Sequence, residues 1–260
     1  MSDSLAIGAT GMQAHQAQVD AIANNLANVN TAGFKRNRAS FSELVVSAAQ
    51  GTGGAGAAGL FASAGVGAGV QLGAAAKVFD AGELRKTDVP LDLAIVGDGF
   101  LELAMADGTR AYARGGSLKV NAEGQLATQS GLALKPGISI PDNAEAVTIS
   151  AGGRVQVRLP GQATPVDVGQ LELVRFANTQ GLLAEGANVY RATDASGEPI
   201  GSRPGEDGMG TIVQGALESS NVKLVEEMVN LMMAQRAYEA SVKVVQASDE
   251  MLGMINGLRR

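Results

Sequence analysis

Apolar positions recur at helical spacing at both ends of this chain and at strand spacing between them. Near the N-terminus Leu5, Gly8, Met12, His15, Val19, Ile22, Leu26 and Val29 fall alternately three and four residues apart, with Gln13, Gln16, Gln18 and Asp20 among them. That heptad spacing predicts a helix with one seam, running from near Leu5 to about residue 30. Asn24, Asn25, Asn28, Asn30 and Thr31 then compete with the backbone for hydrogen bonds, and Gly33 can take positive φ after the last turn. Phe34 offers an apolar contact just past that stop. Helical spacing returns after Asn221, with Leu224, Met228, Leu231, Tyr238, Val242, Val245 and Leu252 on a second seam that Gln235 and Asp249 interrupt. Ser219, Ser220 or Asn221 can cap its start, and Glu226 and Glu227 suit a first turn.

From Lys77 to about residue 210 the period changes to two. Leu91, Leu93 and Ile95 alternate, and Val155 and Val157 alternate against Arg154, Gln156 and Arg158. Turn signals recur at Gly97-Asp98-Gly99, Asp107-Gly108, Glu123-Gly124, Gly152-Gly153 and Pro160-Gly161. Short strands at this spacing predict an antiparallel β domain. The stretch 195–210 is rich in Gly, Pro and acids and reads as a loop.

Between helix and strands, residues 51–73 are nearly all Gly and Ala, the composition of a flexible insertion that orders when something packs on it. Gly54, Gly56 and Gly59 form a literal G-x-G-x-x-G. A dinucleotide loop needs a strand before it, a helix after it and an acid about twenty residues on. No strand pattern precedes Gly54, so the insertion reading prevails. The resulting organisation is a helix over 1–35, a linker with the insertion over 36–76, a β domain over 77–210 and a C-terminal helix over 211–260. The fold class is α+β: two terminal helices packing as a coiled-coil-like domain, enclosing an antiparallel β domain.

Composition narrows the function. The 260 residues include 35 Gly, no Trp and no Cys, so few large side chains are available for a core, and neither a disulfide framework nor a thiolate metal site exists. A net charge of −6 without clustered Lys and Arg argues against nucleic acid. No stretch has the ~20 apolar residues of a membrane helix, and the start lacks the basic and apolar regions of a signal peptide. His15, the one histidine, reads as a polar spacer in the seam, and Lys35, Arg36 and Arg38 read as a solvated loop. No Ser/His/Asp set stands at recognisable spacing, and Asp98 and Asp107 are explained by turn chemistry. Catalytic, cofactor-binding and metal residues are all expected to be none.

Three separated blocks carry a resemblance. The run 23–35, with Asn24, Asn25, Leu26, Asn28, Gly33 and Phe34, closely resembles the N-terminal signature of the bacterial flagellar rod and hook proteins. The run 89–100 with Tyr112, Arg114, Gly116 and Ser117 looks like their β-domain signature. The run 220–222 with Glu227, Val229, Asn230, Gln235, Arg236, Ala237, Tyr238 and Glu239 looks like their C-terminal helix. In this order they cover the chain nearly end to end. Phe41 and Val45 resemble the export motif of such substrates, an aromatic followed four residues later by an apolar residue.

The resemblance implies a structural subunit without an active site or cofactor, nearest to members that build the distal rod. A proximal-rod or hook-type subunit is the alternative within the family. The implied subunit leaves through the flagellar export apparatus with its N-terminus uncleaved and polymerises in the periplasm as a helical tube. Its implied partners are copies of itself, proximal rod proteins, a hook or hook–rod junction protein, and the surrounding periplasmic and outer-membrane ring proteins. The implied assembly seams are Leu5, Met12, Val19, Ile22, Leu26 and Val29 on the first helix and Leu224, Met228, Leu231, Tyr238, Val242, Val245 and Leu252 on the second. A soluble coiled-coil adaptor would account for the heptads but not for a β domain joined to both helices.

Overall fold

The computed structural model describes residues 2–46, 66–105, 107–162 and 164–258. It is an α+β protein with a helix at each end, α1 (Ser2–Ala27) and α2 (Leu224–Leu258), and antiparallel sheets between. The chain divides into two compact units. One comprises Met1–Ala27, Asn37–Ala76 and Lys223–Arg260; the other comprises Asn28–Arg36 and Lys77–Val222. The signature stretch is therefore split: helix α1 ends at Ala27, and the residues after it belong to the β unit.

In the helical unit α1 packs against α2. Gly8 lies so close that a Cβ there would stand 2.6 Å from Val245 Cγ2, while at Gly11 it would stand 3.5 Å from Ser241 Oγ. A hairpin of strands Phe41–Val46 and Val66–Leu72 also packs on α1, where the Val70 amide donates to Thr10 Oγ1 at 3.3 Å. The stretch 51–73 is expected to be a flexible insertion that orders when something packs on it, and within it Val66–Leu72 forms a strand packed on α1. Val70 and Leu72, together with a partner strand rich in β-branched and apolar residues, suit the pairing. The literal G-x-G-x-x-G at Gly54, Gly56 and Gly59 lies outside the described residues.

The β unit is built on an eleven-stranded antiparallel sheet. Its main path runs Leu183–Gly186, Val189–Arg191, Arg110–Ala113, Phe100–Ala104, Ala133–Lys135, Leu126–Thr128, Gly115–Val120, Asp92–Val96 and Thr211–Gln214. Strand Leu173–Arg175 pairs with Phe100–Ala104 and with Ile200–Ser202, a short strand inside the stretch read as loop. A three-stranded sheet of Ala146–Ile149, Arg154–Arg158 and Val166–Gln170 adds to the same core. Val155 and Val157 are fully buried and Arg154 and Arg158 exposed, as period-two alternation requires. Strand Asp92–Val96 departs from alternation because four consecutive residues, Asp92, Leu93, Ala94 and Ile95, are buried, the pattern of a strand covered on both faces. Strands Thr211–Gln214 and Ala216–Glu218, which the sequence reading placed with the C-terminal helix, belong to this unit.

The scarce aromatics are concentrated. Phe79, Phe100, Tyr112, Phe176 and Tyr190 meet edge to face, with centroids 4.8–6.2 Å apart. Such pairs contribute roughly 0.5–1.5 kcal/mol beyond burial. Burial pushes the Tyr190 hydroxyl well above the usual tyrosine range and raises that of Tyr112.

Candidate assembly faces and a buried ionic clasp

Helix α2 has two unlike faces. Its buried or half-buried row towards α1 includes Glu227, Ala234, Ser241 and Ser248, seven residues apart and so on one side of the helix. These are small or polar. The opposite side carries Val225, Val229 and Met232, at 75%, 44% and 55% exposure, flanked by Met228 and Met233. The first turns of the helix thus carry an apolar patch on their free face.

The residues expected on the second seam divide accordingly. Leu231, Val242 and Val245 are half-buried, whereas Leu224, Met228 and Tyr238 are exposed. Leu252 lies within α2, but its side chain is outside the described residues. On α1, Ile22 is buried and Leu5, Met12, Val19 and Leu26 are half-buried. Val29 lies beyond the helix, in the turn that follows it. Gln16, Val19, Gln235, Tyr238 and Glu239 line an open groove of about 530 Å³ in the helical unit. Phe41 is exposed in its strand, and Val45 is paired with Gly67 across the hairpin.

The Asn-rich signature is a set of local pins. Asn25 is buried: its Oδ1 accepts from the Asn37 amide at 2.7 Å, and its Nδ2 donates to the Asn37 carbonyl at 2.9 Å and to Glu227 Oε2 at 3.4 Å. Asn24 Oδ1 accepts from Asn37 Nδ2. Thr31 donates through its amide to the Asn28 carbonyl and through its hydroxyl to Asn28 Oδ1. Gly33 has φ +71°, the left-handed conformation expected of it, and Phe34 is buried.

Lys35 is the largest departure from the sequence reading. It is not in a solvated loop but fully buried, with Nζ donating to Glu218 Oε1 at 2.7 Å and to the Asp80 carbonyl at 2.7 Å. Glu218 Oε1 also accepts from the Gly82 amide at 2.8 Å. Arg114, itself buried, brings Nε to 3.5 Å from Glu218 Oε2, donates from Nη1 to the Gly99 carbonyl and lies 5.6 Å from the Phe100 ring centroid. Two cations thus share one buried carboxylate. Burial drives the Lys35 ammonium below its ordinary pKa, and the Glu218 carboxylate opposes that shift. The pairing joins residues 183 apart in sequence, and no local pattern marks it. The signal present was a charged residue at 218 inside an otherwise apolar strand, Ala216–Glu218, all three residues of which are buried.

Among the described residues, no cluster of His, Cys, Asp and Glu could hold a metal ion, and no helix is long and apolar enough to cross a membrane. A cavity of about 360 Å³ in the β unit has Asp80, Asp98, Arg114 and Arg175 as its charged lining.

Comparison with known proteins finds matches near both ends of the chain and in its β unit. Residues 5–35 match a family model described as flagella basal body rod protein, residues 94–157 one described as flagellar hook protein FlgE/F/G D1 domain, and residues 213–258 one described as flagellar basal body rod FlgEFG protein C-terminal. The flagellar basal-body rod protein FlgG of Borreliella burgdorferi is 42% identical over 264 residues, covering all of both chains. That of Caulobacter vibrioides is 42% identical, covering 98% of this chain and 99% of the relative, and that of Bacillus subtilis is 36% identical over the whole of both. Matches of this length and identity show that the chain belongs to the FlgG family of flagellar basal-body rod proteins.

Proposed function

We propose that this chain is a structural subunit of the distal flagellar rod, polymerising with copies of itself into a helical tube that carries motor torque to the hook. Full-length likeness to rod proteins carries the reading, and the apolar free face of α2 gives it a physical basis. Val225, Met228, Val229, Met232 and Met233 leave apolar side chains in water that a neighbouring copy would cover. In this reading α1 and α2 form a coiled-coil-like pair on the tube's inner wall, and seam residues exposed in one subunit are buried between subunits. The subunit has no catalytic role and uses no cofactor. It leaves the cytoplasm through the flagellar export apparatus, with Phe41 and Val45 in the export motif, and assembles in the periplasm. Its axial neighbours are proximal rod proteins on one side and a hook or hook–rod junction protein on the other, with the ring proteins around it.

Imaging of basal bodies from cells lacking the protein tests this. The expected image is a short rod that stops before the hook, with rings incomplete around the missing part. A complete rod bearing a hook would overturn the reading, and a rod missing from its base would move the subunit to the proximal position.

A further inference from the structure

We propose that Asn28–Arg36 is a strap that docks on an otherwise completed β unit and opens from it as one piece, with Lys35 and Glu218 as its clasp. The strap contributes no strand to the sheets, so their hydrogen bonding is complete without it. Its bonds go instead to scattered points of the β unit. The Gly33 amide donates to the Glu218 carbonyl and the Arg36 amide to Asn221 Oδ1. The Ala32 carbonyl accepts from Asn188 Nδ2, the Arg36 carbonyl from the Val78 amide, and the Lys35 carbonyl from Lys77 Nζ. Lys77 Nζ also lies 4.3 Å from the centroid of the Phe34 ring, the strap's buried apolar residue.

The charges make both positions of the strap self-consistent. Docked, Lys35 and Arg114 share the Glu218 carboxylate. With the strap released, Lys35 returns to water, and Glu218 keeps Arg114 and the Gly82 amide, so no isolated charge is left inside. An element whose departure strands no buried charge and breaks no ladder has a low opening free energy relative to the core. Docking also needs both ends of the chain. The strap lies before residue 37, and its clasp partner is in strand Ala216–Glu218, so the strap closes only after that strand has paired with Leu84–Lys86.

Native-state hydrogen exchange on the full-length protein tests this. In the wild type the Gly33, Arg36 and Val78 amides should exchange at a common rate, with a smaller denaturant dependence than amides of Phe100–Ala104. Glu218→Gln leaves two buried cations without an anion, so strap exchange should accelerate at least about tenfold while the core strands keep their protection. Lys35→Met in that background removes one cation and should slow strap exchange again. Lys35→Met alone should leave core exchange unchanged and accelerate the strap less than Glu218→Gln does. The proposal is overturned if strap and core amides share one denaturant slope in the wild type, if Glu218→Gln leaves the strap protected, or if the double variant exchanges as fast as Glu218→Gln. The wild-type measurement decides the matter even where a variant does not fold.

Discussion

Asn25 does at the end of α1 what no apolar residue could. Its amide supplies both an acceptor and a donor to the backbone of Asn37, closing a two-point contact, and a second donor direction reaches Glu227. Asn25→Ala leaves those backbone groups short of partners and should cost about 2 kcal/mol, within the range for stranding buried polar groups. Asn25→Asp should cost more, because the new oxygen faces the Asn37 carbonyl and the Glu227 carboxylate with no hydrogen to offer. Melting by circular dichroism, with exchange at the Asn37 amide, checks the order wild type, Asn25→Ala, Asn25→Asp. Equal stability of the two variants would show that the donor role of the side chain is unimportant. The position of this Asn at the helix end was legible in the sequence, since Asn disfavours helix interiors, but its partner was not. Lys35 was read as solvated for the same reason. A cation is assigned to water by default, and its carboxylate lies 183 residues away.

At the scale of elements, α1 approaches α2 closely, so the packed side of α2 carries the small Ala234, Ser241 and Ser248 and sets Val245 against a glycine. Gly8 and Gly11 on α1 look interchangeable in sequence, yet the structure gives them opposite expectations. A methyl at Gly8 would stand 2.6 Å from Val245 Cγ2, so Gly8→Ala must displace Val245 or part the helices. At Gly11 the nearest atom would be 3.5 Å away, an ordinary contact, so Gly11→Ala should gain most of the roughly 0.5–1 kcal/mol by which Ala exceeds Gly in a helix. Gly8→Ala should destabilise the helical unit despite that propensity gain, and adding Val245→Ala should recover part of the loss. Thermal melts of the four proteins decide this, and stabilisation by Gly8→Ala alone would show that the helices part without cost. The same closeness explains what periodicity could and could not reveal. The presence and type of both helices were legible, as were the hairpin turns at Asp107-Gly108, Glu123-Gly124 and Gly152-Gly153, which join paired strands. The face of α2 that turns inward was not. Leu231, Val242 and Val245 of the predicted seam are half-buried beside Glu227, Ala234, Ser241 and Ser248, whereas its Leu224, Met228 and Tyr238 are exposed. Gln235 and Asp249, the two interruptions of the apolar seam, are exposed, as a free face allows. Strand order was beyond local pattern, since the sheet places Thr211–Gln214 beside Asp92–Val96 across more than a hundred residues.

For the whole molecule, the consequence of that division is an apolar patch at the start of α2 left in water by its own fold. A self-complementary patch gives a closed dimer, whereas a patch that fits a different surface of the next copy propagates without limit. The helical unit presents two unlike apolar surfaces, the Val225–Val229–Met232 face of α2 and the hairpin's exposed Phe41–Leu72 pair, so the second geometry is open to it. Substituting the α2 face separates folding from assembly. Val229 and Met232 are 44% and 55% exposed, so the double variant Val229→Asp, Met232→Asp removes little burial from the monomer, and its melting temperature should stay within a few degrees of wild type. In an assembly each of these side chains would lose its remaining exposure, and a carboxylate buried in its place adds a desolvation penalty. The loss recurs in every subunit of a polymer. Sedimentation velocity over a concentration series should therefore show self-association weakened at least about tenfold, a change of ~1.4 kcal/mol per contact. Cells carrying the variant should be non-motile and lack hooks. Unchanged association with an unchanged melting temperature would move the subunit contact to another face of the protein and leave the exposed methionines without a role in the rod.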